Sequence, residues 1–178
     1  MSSPAKNNDN RNYALRTKHL ALSAILTSIA MIFSYIEAII PLPVPIPGIK
    51  LGLANLVIIV AIYRLGFKYA FTINCLRILT SGLLFTGLFG MMYSLAGGIL
   101  SIVIMYLLYK TNLFSMVGVS MAGGVAHNLG QLMTACAIMS NIKLMSYFPV
   151  LLFAGMISGI LIGIAAHIIC GKLPHLKV

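Results

Sequence analysis

Three hydrogen-bonding side chains interrupt the long apolar run AGGVAHNLGQ: His127, Asn128 and Gln131. His127 and Gln131 are four residues apart, so a helix would place them on one face. Amide and imidazole groups on one helix face donate and accept hydrogen bonds together. The spacing therefore predicts either a polar wall of a ligand site or hydrogen bonds to a neighbouring helix.

A second polar set lies in another apolar run, where Asn74 and Arg77 are three residues apart. An arginine inside a membrane costs about 2.5–3.5 kcal/mol on insertion scales, so Arg77 should point into the protein and meet an anion or backbone carbonyls. Glu37 is the only acidic residue in an apolar run, although it lies nearer one end of its run. It is the candidate internal carboxylate.

The composition explains why these groups are unusual. Hydrophobic residues make up 60% of the 178-residue chain and charged residues only 8%, and apolar stretches recur along its length, which indicates an integral membrane protein of one domain. The basic residues are scattered between apolar runs and form no continuous stripe, so a nucleic-acid partner is not expected. Cys75, Cys136 and Cys170 lie in separate segments, which predicts no metal site and no ligated redox cofactor.

Apolar length and turn residues predict an all-α bundle of six transmembrane helices within residues 19–172. Residues 1–18 would form a polar N-terminal tail and residues 173–178 a short C-terminal tail. The second helix is short, and Gly87 and Gly90 are expected to form a tight turn between the third and fourth helices. The predicted helices are 19–40, 51–65, 69–88, 91–109, 114–139 and 147–170.

The distribution of lysine and arginine predicts the orientation. With the N-terminus in the cytoplasm, Arg64, Lys68 and Lys110 fall inside, and only Lys50 and Lys143 fall outside. The positive-inside rule therefore places both termini in the cytoplasm of a multi-pass protein. Membrane lipid is the expected surroundings.

Counting about 1.5 Å per residue from the nearest interface places most of the polar groups in one half of the bilayer. Two interpretations follow. In one, the groups line an outward-facing cavity for a small ligand, with Arg77 as its anion-binding floor. In the other, they bond to one another between helices, at about 0.6 kcal/mol each. The candidate binding residues are Glu37, Asn55, Asn74, Arg77, His127, Asn128 and Gln131.

The segment PLPVPIPGIK, residues 41–50, contains four prolines in seven residues and cannot form a regular helix. It is expected to be a lid over the site or a stiff connector. Its candidate residues, with the glycine that follows, are Pro47, Gly48, Lys50 and Gly52.

Small residues recur at four-residue spacing, as Ala24 with Ser28 in the first helix and Gly155 with Gly159 in the sixth, beside Ala154 and Ser158. Such faces let helices approach closely. They predict internal packing or a surface for a partner membrane protein.

The stretches PIPGIKLGLANLVIIVAIYRLGF, LRILTSGLLF, SLAGGILS and GVSMAGGVAHNLGQL together resemble the Gx transporter family, also named heptaprenyl diphosphate synthase component I. The resemblance covers about residues 21–171. The loop motif is more loosely similar to the substrate-binding S components of energy-coupling factor vitamin transporters. Those proteins have six helices, a ligand pocket in the outer half, and a helix-one face that docks a coupling subunit.

The resemblance implies a bacterial cytoplasmic membrane protein and several roles. It implies a transport-type subunit that binds a flavin-, vitamin- or quinone-like solute, with the loop residues, Asn55, Arg77 and the 127–131 set lining its site. It also implies a membrane component of flavin-based extracellular electron transfer. The synthase name implies an accessory subunit, because prenyl chain elongation needs aspartate-rich Mg²⁺ sites and this chain has one aspartate, Asp9. The chain is therefore not expected to be an enzyme by itself.

Overall fold

The computed structural model describes residues 4–40 and 52–172, and in these ranges the chain is helical without strands. The predicted all-α fold class is confirmed. Short turns connect the helices from the second onward. The α-helices are α1 (Pro4–Ile39), α2 (Asn55–Leu65), α3 (Phe67–Ser81), α4 (Gly87–Thr111), α5 (Met116–Ile138) and α6 (Phe148–Lys172), with a π-helical turn at Gly82–Thr86 and a 3₁₀ helix at Ile142–Tyr147.

Helix α1 begins at Pro4, well before the predicted start at residue 19, so much of the expected N-terminal tail is part of the helix. Proline is favourable in the first turn of a helix, and the next fourteen residues contain neither proline nor glycine. Its 36 residues extend about 54 Å, against about 30 Å for a hydrocarbon core. One end of α1 therefore extends beyond the apolar layer.

Helix α2 forms the centre of the bundle. It starts at Asn55 and not at residue 51 as predicted, because Gly52 has a φ of 83° and the chain turns at Leu53 and Ala54 before the helix begins. Nearly all of its 11 residues are buried, among them Ile58, Ile59 and Ile62. A helix that is apolar on every side packs in the interior, and α2 does so over a length of about 16 Å.

Helices α3 and α4 form an antiparallel hairpin. A Cβ added at Gly98 of α4 would lie 3.0 Å from atoms of Asn74 and Ile78 of α3, and one added at Gly82 would lie 2.8 Å from Met91. The reversal occurs at Gly87, whose φ of 68° and ψ of −178° are accessible to glycine and costly for other residues. Gly90 lies inside α4 and does not form the turn.

Helices α5 and α6 pack through glycines. A Cβ at Gly124 of α5 would collide with the carbonyl oxygen of Gly155, and one at Gly159 of α6 would lie 2.6 Å from the Cα of Met121. The predicted close-packing face at Gly155 and Gly159 is thus used inside the protein. Ala24 and Ser28 of α1 are exposed.

Among the described residues, three helical runs are long and apolar enough to cross a membrane: 15–39, the α3–α4 hairpin at 67–111, and 142–172. The hairpin folds back on itself and can cross twice. Helix α5 is not among these runs, because His127, Asn128 and Gln131 lower its mean hydropathy. The chain is a helical membrane protein, and the count of six crossings stays a prediction.

Candidate functional site

Arg77 is buried between α1 and α3, with 2% of its surface exposed. Its Nε and one terminal nitrogen donate to Asn74 Oδ1 at 3.1 and 2.9 Å, and the other terminal nitrogen donates to Ser34 Oγ of α1 at 3.3 Å. The three-residue spacing on α3 places Asn74 beside the guanidinium, as the sequence predicts. These partners hold Arg77 in one orientation through neutral oxygens.

Glu37 lies one helical turn after Ser34 on α1 and is also buried. Its Oε1 accepts a hydrogen bond of 2.7 Å from the backbone N–H of Leu53, in the turn before α2. The carboxylate therefore ties the end of α1 to the start of α2. Its charge also acts on the Arg77 guanidinium.

His127 and Gln131 form the second polar pair. Gln131 Nε2 lies 3.0 Å from His127 Nε2, and both side chains are buried in the bundle. The four-residue spacing on α5 brings them onto one face, as expected. This face points toward α4.

Two adjacent glycines of α4 connect the pairs. A Cβ at Gly97 would lie 2.7 Å from the His127 carbonyl oxygen and 3.1 Å from His127 Nδ1, whereas one at Gly98 would lie 3.0 Å from Asn74 Nδ2. Larger residues at these positions would push α3 and α5 away from α4. The glycine pair therefore lets the Arg77 pair and the His127 pair approach one helix from both sides.

Asn55 joins the same region from α2. A Cβ at Gly52 would lie 3.0 Å from Asn55 Nδ2 and 3.4 Å from His127 Cδ2. Asn55 and Arg77 are each eleven residues from the turn at Gly66, about 16 Å along their helices. The two residues therefore lie at similar heights along the bundle. We call Ser34, Asn55, Asn74, Arg77, His127 and Gln131 the polar layer.

Asn128 points elsewhere. Its Nδ2 donates a hydrogen bond of 2.8 Å to the Leu151 carbonyl oxygen of α6 and packs on Gly155. Adjacent residues on a helix differ in direction by about 100°, so Asn128 faces α6 while His127 faces α4. Of the predicted loop residues, Pro47, Gly48 and Lys50 lie outside the described residues, and Gly52 lies in the turn before α2.

Several buried polar atoms have no hydrogen-bond partner among the described residues. Asn55 Nδ2, Asn74 Nδ2 and Asn128 Oδ1 belong to predicted site residues, and Ser94 Oγ and Ser101 Oγ lie on α4. Buried polar groups in folded proteins are nearly always paired with protein, water or a ligand. The region around the polar layer therefore retains capacity to bind polar atoms.

Two cavities of about 450 and 410 Å³ are lined by described residues. The first lies where α5 meets the 3₁₀ helix, around Cys136 and Ile142, and the second is an apolar groove on α5 between α4 and α6, around Ala122 and Val125. None of the predicted site residues lines either cavity. In the described part of the chain, no group of three His, Cys, Asp or Glu side chains could hold a metal ion.

Ser34, Gly97 and Gly98 are not among the site residues predicted from the sequence. Ser34 precedes Glu37 by one helical turn, and that spacing was a usable signal. The glycine pair stands within SLAGGILS, where serines at three- and four-residue spacing from the glycines mark one face of α4. Which helices that face would meet cannot be read from its own sequence.

The sequence model described as heptaprenyl diphosphate synthase component I matches residues 26–169. No curated protein and no solved structure matches the chain. The match includes every residue of the polar layer, all of α2 to α5, the last 14 of the 36 residues of α1 and 22 of the 25 residues of α6. This membrane protein therefore belongs to the heptaprenyl diphosphate synthase component I family.

Proposed function

We propose that this chain is a non-catalytic membrane subunit that binds a small anionic or amphipathic solute at the polar layer. The observation that carries the proposal is Arg77, a buried cation whose hydrogen bonds go to the neutral oxygens of Asn74 and Ser34. Neutral oxygens orient the guanidinium without cancelling its charge, and the Glu37 carboxylate, whose charge also acts on Arg77, accepts a hydrogen bond from the Leu53 N–H. An anionic group that reaches the layer would gain strongly from Arg77, because the surroundings screen charge weakly.

The neighbouring groups support a ligand rich in hydrogen-bond acceptors. Asn74 Nδ2 and Asn55 Nδ2 are buried donors without a partner among the described residues. The orientation of the Asn74 amide follows from its Oδ1, which accepts two hydrogen bonds from Arg77. Phosphate, carboxylate and flavin or quinone carbonyl oxygens would suit these donors.

The family description makes a prenyl diphosphate one specific candidate. The whole chain contains only two acidic residues, whereas diphosphate chemistry with Mg²⁺ needs several carboxylate oxygens. We therefore assign the chemistry to a separate catalytic component and an accessory, solute-binding role to this chain. The positive-inside pattern supports a multi-pass protein of the bacterial cytoplasmic membrane with both termini inside.

Asn128 favours a second candidate function, which is assembly. Its hydrogen bond to the Leu151 carbonyl shows that at least one predicted site residue connects two helices. If the whole polar layer serves the same purpose, the protein is a scaffold for partner subunits and binds no solute. Both functions are compatible with the family.

A binding measurement with matched arginine variants separates the two. Wild type, Arg77→Gln and Arg64→Gln would be placed in lipid nanodiscs and titrated with farnesyl diphosphate and with riboflavin. Arg64 is the matched control, because it is also a buried arginine but lies at the far end of α2. We expect Arg77→Gln to weaken binding of one probe at least about tenfold, the effect of losing a hydrogen bond to a charged group.

Thermal unfolding of the same three samples completes the test. Arg64→Gln should bind as wild type does if Arg77 acts specifically. Equal binding in all three samples would contradict the proposal. The proposal would also be contradicted if neither probe binds the wild type and Arg77→Gln lowers the unfolding temperature. That result would favour assembly.

A further inference from the structure

The inward face of α4 carries a row of small and polar residues through the centre of the bundle. Ser94, Gly97, Gly98 and Ser101 follow one another at helical spacing, and the row is about 10 Å long. Ser94 is 2% exposed and Ser101 is 0% exposed. The row begins one turn before the glycine pair and ends one turn after it.

Neither serine hydroxyl has a hydrogen-bond partner among the described residues. This is unusual for a serine in a membrane helix, because its hydroxyl commonly donates a hydrogen bond to a carbonyl oxygen of the preceding turn. Ser81 of α3 does so, by donating to the Ile78 carbonyl oxygen at 3.2 Å. The two α4 hydroxyls, in contrast, retain full hydrogen-bonding capacity in the interior.

Asn74 adds a third group between them. Its Nδ2 faces Gly98 and also has no partner among the described residues. The position that a Cβ of residue 98 would take is 3.0 Å from this nitrogen and 3.2 Å from Asn74 Oδ1. The Asn74 amide therefore lies directly against Gly98, on the same face of α4 as the two serine hydroxyls.

We propose that a row of buried water molecules binds along this face of α4, at Ser94, at Asn74 beside Gly98, and at Ser101. Buried waters typically bind to polar groups that the protein leaves unsatisfied. The row would extend the polar layer by one helical turn toward each end of the bundle. It would also hydrate the surroundings of Arg77 and so help this residue to stay charged near mid-membrane.

The inference goes beyond the proposed function, because the water row would be present with or without a bound solute. Cysteine accessibility tests it directly. In a background with Cys75, Cys136 and Cys170 replaced by alanine, Ser94→Cys, Ser101→Cys and Ile102→Cys would react with a small water-soluble methanethiosulfonate in nanodiscs. Ile102 is the matched control, because it is adjacent to Ser101, equally buried, and part of the apolar core.

Cysteines at positions 94 and 101 should react at least about tenfold faster than the cysteine at 102, because the reactive thiolate forms where water reaches the sulfur. Equally slow reaction at all three positions would overturn the water row. If the cysteines at 94 and 101 react rapidly but Arg77→Gln leaves solute binding unchanged, the water row stands and the proposed function fails. If these cysteines react slowly but Arg77→Gln weakens solute binding, only the water row is contradicted.

A second measurement covers variants that perturb the fold. Ser101→Ala removes a hydroxyl that is either bonded to water or unsatisfied, and the two cases change stability in opposite directions. Water binding predicts a lower unfolding temperature than wild type. An unchanged or higher unfolding temperature contradicts it. Ser81→Ala serves as the control, because that hydroxyl already has a protein partner.

Discussion

Two buried arginines are stabilised differently in this bundle. Arg64 occupies the last turn of α2, where a positive charge interacts favourably with the helix dipole, and it lies close to Cys170 of α6. Arg77 lies inside α3, just before its last turn, and depends on side-chain partners. The orientation of Arg77 therefore rests largely on one residue, Asn74.

Asn74→Ala should destabilise the protein because it removes the oxygen that accepts two hydrogen bonds from Arg77. Hydrogen bonds to a charged group contribute about 1.5–3 kcal/mol, and we expect a loss in this range. Chemical or thermal unfolding in detergent measures the change. Thr80→Ala is the control on the same helix, and its effect should be much smaller. The hydrogen bonds of the Thr80 hydroxyl to described residues go to carbonyl oxygens of α3 and to the Met31 sulfur. An equal effect of the two substitutions would contradict the assigned role of Asn74.

The sequence predicted these pairs within a helix but not their neighbours on other helices. Three- and four-residue spacing was enough to place Asn74 beside Arg77 and Gln131 beside His127. The hydrogen-bond partner of Asn128 could not be predicted, because it is a backbone carbonyl on α6 and a backbone carbonyl has no sequence signature. The same limitation applies to Ser34, whose role depends on where α1 meets α3.

At the scale of the elements, glycines determine where helices turn and how closely they pack. Gly87 and Gly171 have no atom within 4 Å of an added Cβ, but only Gly87 has a positive φ, of 68°. A substitution at Gly87 therefore tests backbone conformation alone. The sequence predicted that a glycine forms this turn, but it could not choose between Gly87 and Gly90.

Gly87→Ala should lower the free energy of unfolding by about 1–3 kcal/mol, the usual cost of a non-glycine residue in this backbone region. Gly171→Ala should be neutral or slightly stabilising, because alanine is the better helix former. Both effects can be measured as shifts in unfolding temperature under the same conditions. Equal shifts for the two variants would show that the hairpin turn does not need glycine.

The contact between α5 and α6 tests whether glycine is needed for close helix packing. Gly124→Ala places a methyl group against the Gly155 carbonyl oxygen and should destabilise the bundle by about 1–3 kcal/mol, as overpacking does. Gly118→Ala lies on the same helix, where the nearest atom to an added Cβ is 3.7 Å away, and should stabilise it by about 0.5–1 kcal/mol. Opposite signs in a thermal-shift assay would confirm the packing; a neutral Gly124→Ala would contradict it.

At the scale of the whole molecule, the α3–α4 hairpin brings the start of α3 and the end of α4 to the same end of the bundle. Lys68 at the start of α3 and Lys110 at the end of α4 lie at one end of the bundle, and Ile142 after α5 lies at the other. Composition and the positive-inside rule were sufficient to predict a helical membrane protein and an orientation. They could not reveal that α2 begins only at Asn55, because that boundary depends on the turn at Gly52 and on the Glu37 contact with Leu53.

Single cysteines should report the orientation in intact cells. We expect a membrane-impermeant maleimide to label Ile142→Cys directly, since this residue is 74% exposed. Lys68→Cys and Lys110→Cys should be labelled only after the membrane is permeabilised. Labelling of Lys110→Cys in intact cells would reverse the orientation, and labelling of Lys68→Cys without Lys110→Cys would contradict the hairpin.

The backbone contact between α5 and α6 also has a consequence for the gene. Glycine is the smallest amino acid, so every missense change at Gly124, Gly155 or Gly159 adds atoms where backbones already touch. Ile157 and Ile160, which face outward from α6, carry no such restriction. Selection acting on random variants should therefore keep glycine at positions four residues apart along α6, and this spacing would identify the buried face of the helix from genetics alone.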